Sequence, residues 1–416
     1  MQLQSALTLF SGLLENLVFS GISLGWPSLH FLAGYLLDRF GTWIERSFGT
    51  FLLTLGCLLL AVSTPATSWL LYPAMISIAI SGYTLLISNT QIANLVDVKA
   101  RGFVITLLAG MFDSGAVVFS VMKLAYEAGY SLKAILHIYI WCTFCTWFRT
   151  FALMPKEHIP FPLPKAKLRY GWEEWICFKK SYDKSETDPI LDTPTINDDS
   201  AATTITQIDT GFSDCLKNLL LWTNAFHICI ISFRVNFYFG TFLTLMEISE
   251  DPSNISNLTN IFGIMLFCGF IAAPLNGLLV DGVIKHPKAR NVPDKISLLR
   301  ASFASMLTTS SLAITLSVFI VVANSILSFV FQLLTRSFVY GGTTTFLAMH
   351  FPQKHFGKLF GLTYFIVGTV TLLQYALFKL ATAVDPTFYF INVGLLVVVC
   401  LTLVHPLMLF FLQQNK

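Results

Sequence analysis

The chain has 416 residues, of which 55% are hydrophobic and only 12% charged. A soluble chain carries roughly 45–50% apolar and about 25% charged residues, so an ordinary soluble domain is excluded. The formal net charge of +3 is too small to point to a nucleic-acid partner.

Apolar runs of membrane-span length recur from end to end, which predicts an all-α polytopic membrane protein. Hydrocarbon offers the backbone no hydrogen bonds, so spanning segments must be helices or a closed barrel. The short alternating segments of a barrel do not occur. Eleven full spans are predicted, near 6–26, 47–63, 69–89, 102–126, 132–154, 217–246, 259–280, 299–322, 324–349, 357–380 and 388–412. The opening MQLQSALTLF lacks the basic region of a cleaved signal, so the first span is expected to stay in the mature chain.

A long polar linker divides the spans into two hydrophobic halves, 1–155 and 216–416. The linker, 156–215, opens with a proline-rich, basic stretch that suits a membrane interface. Its remainder, from about 183, is acidic and threonine-rich and reads as disordered. Lysine and arginine collect at 39–46, 99–101, 156–184, 285–300 and 354–358, while the intervening loops have almost none. By the positive-inside rule the basic loops, and with them the C-terminus, are cytoplasmic. The loop at 247–258 is acidic and carries two N-glycosylation sequons, Asn254-Ile-Ser256 and Asn257-Leu-Thr259, as an outside loop would.

The halves look like repeats. GYLLDRF places Gly34 four residues before Asp38, and NGLLVDG places Gly277 four residues before Asp281, each where the chain leaves the membrane on the basic side. A second pair sets Lys99-Ala-Arg101-Gly102 against His355-Phe-Gly357-Lys358, with offsets between halves of 243 for Gly34 to Gly277 and 257 for Arg101 to Lys358. Parallel repeats around a central site are a transporter plan. The same comparison predicts a deficit. About 60 residues separate the first span of the second half from Gly277, but only about 28 separate residue 6 from Gly34. The shortfall is roughly one helix and a loop. It falls in GWPSLHFLAGYLLDRF, where ten residues remain between Pro27 and Asp38. As helix they reach only about 15 Å and cannot recross a 30 Å core.

At these motifs the chain resembles a known family. GWPSL, GYLLDRF, MFDSGAVVF, RTFALMPKEHIPFPLP, APLNGLLVD, RSFVYGG and HFGKLFGL together are similar to solute carrier family 43 of the major facilitator superfamily, most of all to its nucleobase-transporting branch. The resemblance implies twelve helices in two six-helix bundles, cytosolic termini, residence in the plasma membrane and facilitated diffusion by alternating access. Against that pattern the first extracellular loop and most of helix 2 are missing, leaving its last turns at about 32–37. A splice form, a gene-model error and a real deletion would look alike.

Candidate working residues follow from polar groups inside apolar runs, which need a partner or a role. Glu15 and Asp113 could accept hydrogen bonds from substrate or fix helix packing. Arg336 could contact substrate or form an ion pair, and precedes Gly341-Gly342-Thr343-Thr344-Thr345, which lets helices approach and offers hydroxyls such as that of Thr343. The amides Asn89, Gln91 and Asn94 could each pair at two points with a purine edge or bond neighbouring helices. Trp26 could stack on a planar ring or sit in the interface belt. Arg149, Lys123 and Arg234 read as structural or snorkelling. Gly34, Asp38, Arg39 and Gly41 match the superfamily's cytoplasmic loop motif, whose aspartate can hold the inside gate shut. In the second half Gly277 and Asp281 are kept, but Gly282 replaces the arginine.

The substrate is expected to be a small molecule, and no cofactor or metal is implied. A neutral planar purine suits amides, hydroxyls and aromatics; a zwitterionic large neutral amino acid would want paired charge recognition or helix termini. A third reading is a chain that does not transport because it lacks helix 2. The eight histidines are scattered, with no HExxH, nucleophile elbow or phosphate loop, so no enzyme is expected. Cys142 and Cys145 form a CxxC inside an apolar run and read as packing residues.

Overall fold

The computed structural model describes residues 31–156, 159, 211–249, 251–286, 294–383 and 387–414. The expectations for Glu15, Trp26, the junction at 25–30 and nearly all of the linker lie outside these residues. What is described is almost wholly helical. Residues 31–40 form a first helix, α1. α2 (Thr42–Val62), α3 (Leu71–Thr90), α4 (Val98–Asp113), α5 (Val117–Glu127) and α6 (Leu132–Phe148) complete the first half. The second half holds α7 (Phe212–Lys217), α8 (Leu219–Ser249), α9 (Pro252–Phe267), α10 (Gly269–Lys285), α11 (Asp294–Val321) and α12 (Ser325–His350), then α13 (Phe356–Thr371), α14 (Leu373–Ala383), α15 (Thr387–Cys400) and α16 (Val404–Gln414).

By length and composition, six helical runs among the described residues could each cross a bilayer: Thr42–Val62, Thr67–Leu95, Leu219–Phe242, Lys295–Val321, Gln353–Leu380 and Phe388–Gln414. α9 and α10 make a seventh if read through the 46° bend between them. The predicted spans at 102–126, 132–154 and 324–349 are helical too, as α4 with α5, α6 and α12. A 3-10 turn, Ser114–Ala116, interrupts the first of these.

The basic segment 39–46 is not the loop its charge suggested. Only Gly41 separates α1 from α2, with φ of 81°, a left-handed conformation that glycine adopts without a Cβ penalty. Glu45 and Arg46 are therefore inside α2 and buried. Elsewhere side chains cap the helix starts: the Ser131 hydroxyl accepts from the Ala134 N–H and the Asn324 side chain from the Leu327 N–H. The sequons were expected on a loop, but Asn254 and Asn257 are exposed on the first turns of α9, which starts at Pro252.

In lipid, apolar area alone does not drive helices together, so close approach at small residues and buried polar bonds do that work. On α2, Gly49 and Gly56 sit two turns apart, where an added Cβ would come within 2.9 Å of Thr84 Cγ2 and 2.6 Å of Ile78 Cγ1 on α3. On α12, Gly341 lies against Thr106 of α4 and Gly342 against Asn276 of α10, at 2.9 and 2.7 Å by the same measure. The small-residue stretch thus brings helices together as its composition predicts. The largest apolar cluster joins the halves, with Leu37, Ile87 and Ile105 meeting Phe346, Leu359 and Phe360. A second cluster, around Phe237, Tyr238, Phe262 and Phe329, lies within the second half.

Candidate functional site

The two aspartates of the repeated exit motifs each reach across to the other half. Asp38, near the end of α1, accepts the backbone N–H groups of Gly357 (3.0 Å) and Lys358 (2.8 Å) at the start of α13. Asp281, near the end of α10, accepts those of Gly102 (3.1 Å) and Phe103 (2.9 Å) in the second turn of α4. The first arrangement is the better placed of the two. The opening N–H groups of a helix have no partner inside it, and the helix dipole favours a negative charge there.

Glycines make the approach possible. A Cβ on Gly357 would come within 2.5 Å of the Gly34 carbonyl oxygen and 2.6 Å of Asp38 Oδ1. A Cβ on Gly102 would lie 2.6 Å from Asp281 Oδ1, and one on Gly277 would lie 2.5 Å from the Gly102 carbonyl oxygen. The equivalent positions of the two halves are therefore Gly102 and Gly357, 255 residues apart. Pairing Arg101 with Lys358 by their basic side chains is two residues out of this register. The acceptor reads backbone N–H groups, so the glycine sets the register. Arg39 is exposed; its guanidinium bonds the Tyr35 hydroxyl and lies over the Tyr35 and Phe40 rings at 5.7 and 5.6 Å. Gly282, in the place of the second half's arginine, has open space around it.

A buried polar chain runs beside this closure. Arg101 donates to Asn94 Oδ1 (2.9 Å) and, across the halves, to the Ala348 carbonyl (3.3 Å). Asn94 Nδ2 donates to the Ile159 carbonyl (2.7 Å), while the Ile159 N–H and the Thr42 hydroxyl both donate to Gln91 Oε1 (3.3 and 3.0 Å). Arg46 donates to Asn89 Oδ1 (2.7 Å) and Ser88 Oγ (3.2 Å). All three candidate amides thus bond protein groups at the basic end of the bundle, where they hold the start of the linker and two arginines.

Between the halves and further along the helices lies an aromatic layer that no motif announced. Tyr83 of α3 packs edge-on to Phe112 of α4 at 4.9 Å between centroids. It faces Tyr364 of α13 at 6.4 Å, which in turn stacks on Phe360 (4.4 Å) and Tyr340 of α12 (6.2 Å). Arg336 is one helical turn from Tyr340, with its guanidinium 5.1 Å over the Phe239 ring of α8, a cation–π geometry. Thr343 is buried in the contact of α12 with its neighbours. Asp113 ends α4 where the 3-10 turn begins, and next to it the Ser114 hydroxyl donates to the Phe267 carbonyl across the halves (3.2 Å). Spacing could not single out these rings, because 38 phenylalanines and 13 tyrosines give every helix an aromatic face.

Of the two readings of Arg234, the structural one fits and snorkelling does not: it sits mid-way along α8, 1% exposed, bonded to Ser317 and Asn392. Two other expectations change. Cys142 and Cys145 are on the exposed side of α6 rather than in a packed core. The scattered histidines partly converge, with His227 and His405 ring centroids 5.6 Å apart and Phe346 packed on both His350 and His405.

The fold and its relatives agree with this geometry. No protein-family model matches the chain. It is 33% identical over 412 residues to equilibrative nucleobase transporter 1 of Bos taurus, covering 94% of this chain and 82% of that one. The chain belongs to solute carrier family 43 of the major facilitator superfamily. It is therefore a multi-pass membrane transporter and not an enzyme. More distant relatives include large neutral amino acids transporter small subunit 3 of Mus musculus, 24% identical, and that of Homo sapiens, 23% identical, each over 92% of this chain and 79% of the other. Among solved structures, the superfamily's proton:xylose symporter XylE superposes with a TM-score of 0.61 at 11% identity, covering 95% of this chain and 85% of that one. A bacterial homologue of the iron transporter ferroportin, in its outward-facing state, gives 0.60 at 14% identity, covering 97% and 92%. These likenesses establish the superfamily fold.

Proposed function

We propose that the chain is a facilitative, sodium-independent transporter of purine nucleobases such as adenine, guanine and hypoxanthine, working by alternating access. The observation that carries this reading is the layer of Tyr83, Phe112, Tyr340 and Tyr364 at the contact of the halves. Flat aromatic faces stack on any base, and the hydroxyls supply donors and acceptors without net charge. Arg336 over Phe239 borders the layer. The greater identity to the nucleobase relative than to the amino-acid relatives supports purines over large neutral amino acids.

The aspartate bonds from Asp38 and Asp281 act as the latch of the inward gate, with the basic loops and the C-terminus in the cytoplasm and the chain in the plasma membrane. Asn254 and Asn257 then face outward and carry N-glycans. Labelled adenine and labelled leucine, offered separately to cells expressing the chain at the surface, test the substrate. Adenine uptake above mock-transfected cells, with leucine at background, is the expected outcome; leucine uptake alone sinks it. A second reading, that this form does not transport, rests on the short interval between residue 6 and Gly34. Surface expression with uptake of neither substrate would favour it. An N-terminal epitope detected only after permeabilisation would rule out a single crossing by residues 6–37.

A further inference from the structure

Two cations from opposite halves gather at one ring where α1 meets α13. Arg39, exposed near the end of α1, bonds the Tyr35 hydroxyl and lies 5.7 Å from the centre of that ring. Lys358, half-exposed in the first turn of α13, holds its Nζ 5.9 Å from the same centre and 5.8 Å from that of Phe212 on α7. Neither forms an ion pair among the described residues. The nearby acids are engaged elsewhere. Asp38 turns both oxygens to the backbone N–H groups of Gly357 and Lys358, and Asp214 of α7 pairs with Lys217 at 3.9 Å. Like charges held this close repel unless an anion shares them.

Both helices turn apolar side chains outward on the membrane side of these cations. Leu32, Tyr35 and Arg39 share one face of α1, and Lys358 and Phe365, seven residues apart, share one face of α13. Leu32 is 39% and Phe365 36% exposed, each about 10 Å along its helix from the cation. A cationic end above lipid-facing apolar surface fits a phospholipid, with phosphate on the cations and acyl chains along Leu32 and Phe365. Guanidinium takes a phosphate at two points and ammonium as a point charge. A zwitterionic headgroup would bring a third cation to this place; an anionic one carries the net charge that the pair lacks. We propose that this seam binds an anionic phospholipid of the cytoplasmic leaflet, its headgroup on Arg39 and Lys358, where it holds the two halves together beside the Asp38 latch. The leaflet follows from the basic ends being cytoplasmic, where anionic lipid concentrates.

The test uses the full chain in phosphatidylcholine nanodiscs with a trace of phosphatidylserine or phosphatidylcholine carrying an acyl-chain diazirine, and maps the photolabel by mass spectrometry. Phosphatidylserine should label residues 31–40 or 362–365 saturably, and phosphatidylcholine should not. Labelling should fall about fivefold in Arg39→Gln or Lys358→Gln and about twenty-fivefold in the double variant, as expected for cations near a membrane surface. Arg39→Lys should keep most of it. Lys358→Gln retains the backbone N–H that Asp38 accepts, so the latch stays. Inorganic phosphate at constant ionic strength should not displace the label. Unchanged labelling of the folded double variant, equal labelling by phosphatidylcholine, or displacement by inorganic phosphate, which marks a site for free anions, each overturns the proposal. If the double variant does not fold, the lipid pair and Lys358→Gln decide alone. Both leaflets of a nanodisc hold the same lipid, so a failure strikes the site and not the orientation.

Discussion

Asp38→Asn isolates the charge of the latch while keeping its shape. The wild-type carboxylate accepts two N–H groups at the start of α13. Asparagine keeps one acceptor oxygen, presents an NH₂ group to the other N–H and removes the charge that the helix dipole favours. Hydrogen bonds to a charged group are worth about 1.5–3 kcal/mol each against about 1 for neutral ones. Losing the charge from one bond and the whole of the other therefore costs the closed state at least about 2 kcal/mol, roughly a thirtyfold change in the gate equilibrium at that lower bound. If the gate is open about 1% of the time, as minor states commonly are, the open fraction rises to about a quarter. Spin labels at Asp97→Cys and Lys285→Cys, both exposed near the basic ends of opposite halves, would report this after the eight native cysteines are replaced by serine. The longer-distance population should grow in Asp38→Asn. An unchanged distance distribution in a monodisperse, folded variant refutes the latch, because a bond that does not bias the equilibrium cannot hold the gate.

Further outcomes follow from the same geometry. Gly357→Ala puts a Cβ 2.5 Å from the Gly34 carbonyl oxygen, so it should separate α1 from α13 and enlarge the same open population, whereas Gly282→Ala, with open space around it, should leave it unchanged. Tyr364→Ala removes the ring between Tyr83 and Tyr340; at about 1–3 kcal/mol per stacked base, the KM for adenine uptake should rise at least fivefold, while Tyr364→Phe stays within about twofold. Asn254→Gln with Asn257→Gln should remove any shift in electrophoretic mobility on N-glycosidase treatment, and a shift that survives both substitutions places the glycan elsewhere. Asn94→Leu takes from the Ile159 carbonyl the amide that donates to it, a loss of about 1–3 kcal/mol for a buried polar group, and limited proteolysis should cut near Ile159 faster than in the wild type.

Much of this protein was legible before any coordinates. Membrane insertion, the helical class and the two halves follow from composition and apolar run length, since the bilayer tests each segment separately for length, polarity and backbone satisfaction. The repeated Gly-x-x-x-Asp exits were legible for the same local reason: a small residue and an acid four apart lie on one face of a helix. What each aspartate meets was not legible, because its partners are main-chain N–H groups some 180 to 320 residues away, and a main-chain donor leaves no mark in residue identity. The difference of two between the offset of Arg101 to Lys358 and that of Gly102 to Gly357 has that origin. The aromatic layer was hidden for another reason, since an abundance of rings in every helix conceals the few that meet across the halves. Arg234 shows the division most plainly. Its sequence neighbourhood marks only a cation in an apolar run, and only the packing of α8 against Ser317 of α11 and Asn392 of α15 decides that it is buried and bonded to neutral groups.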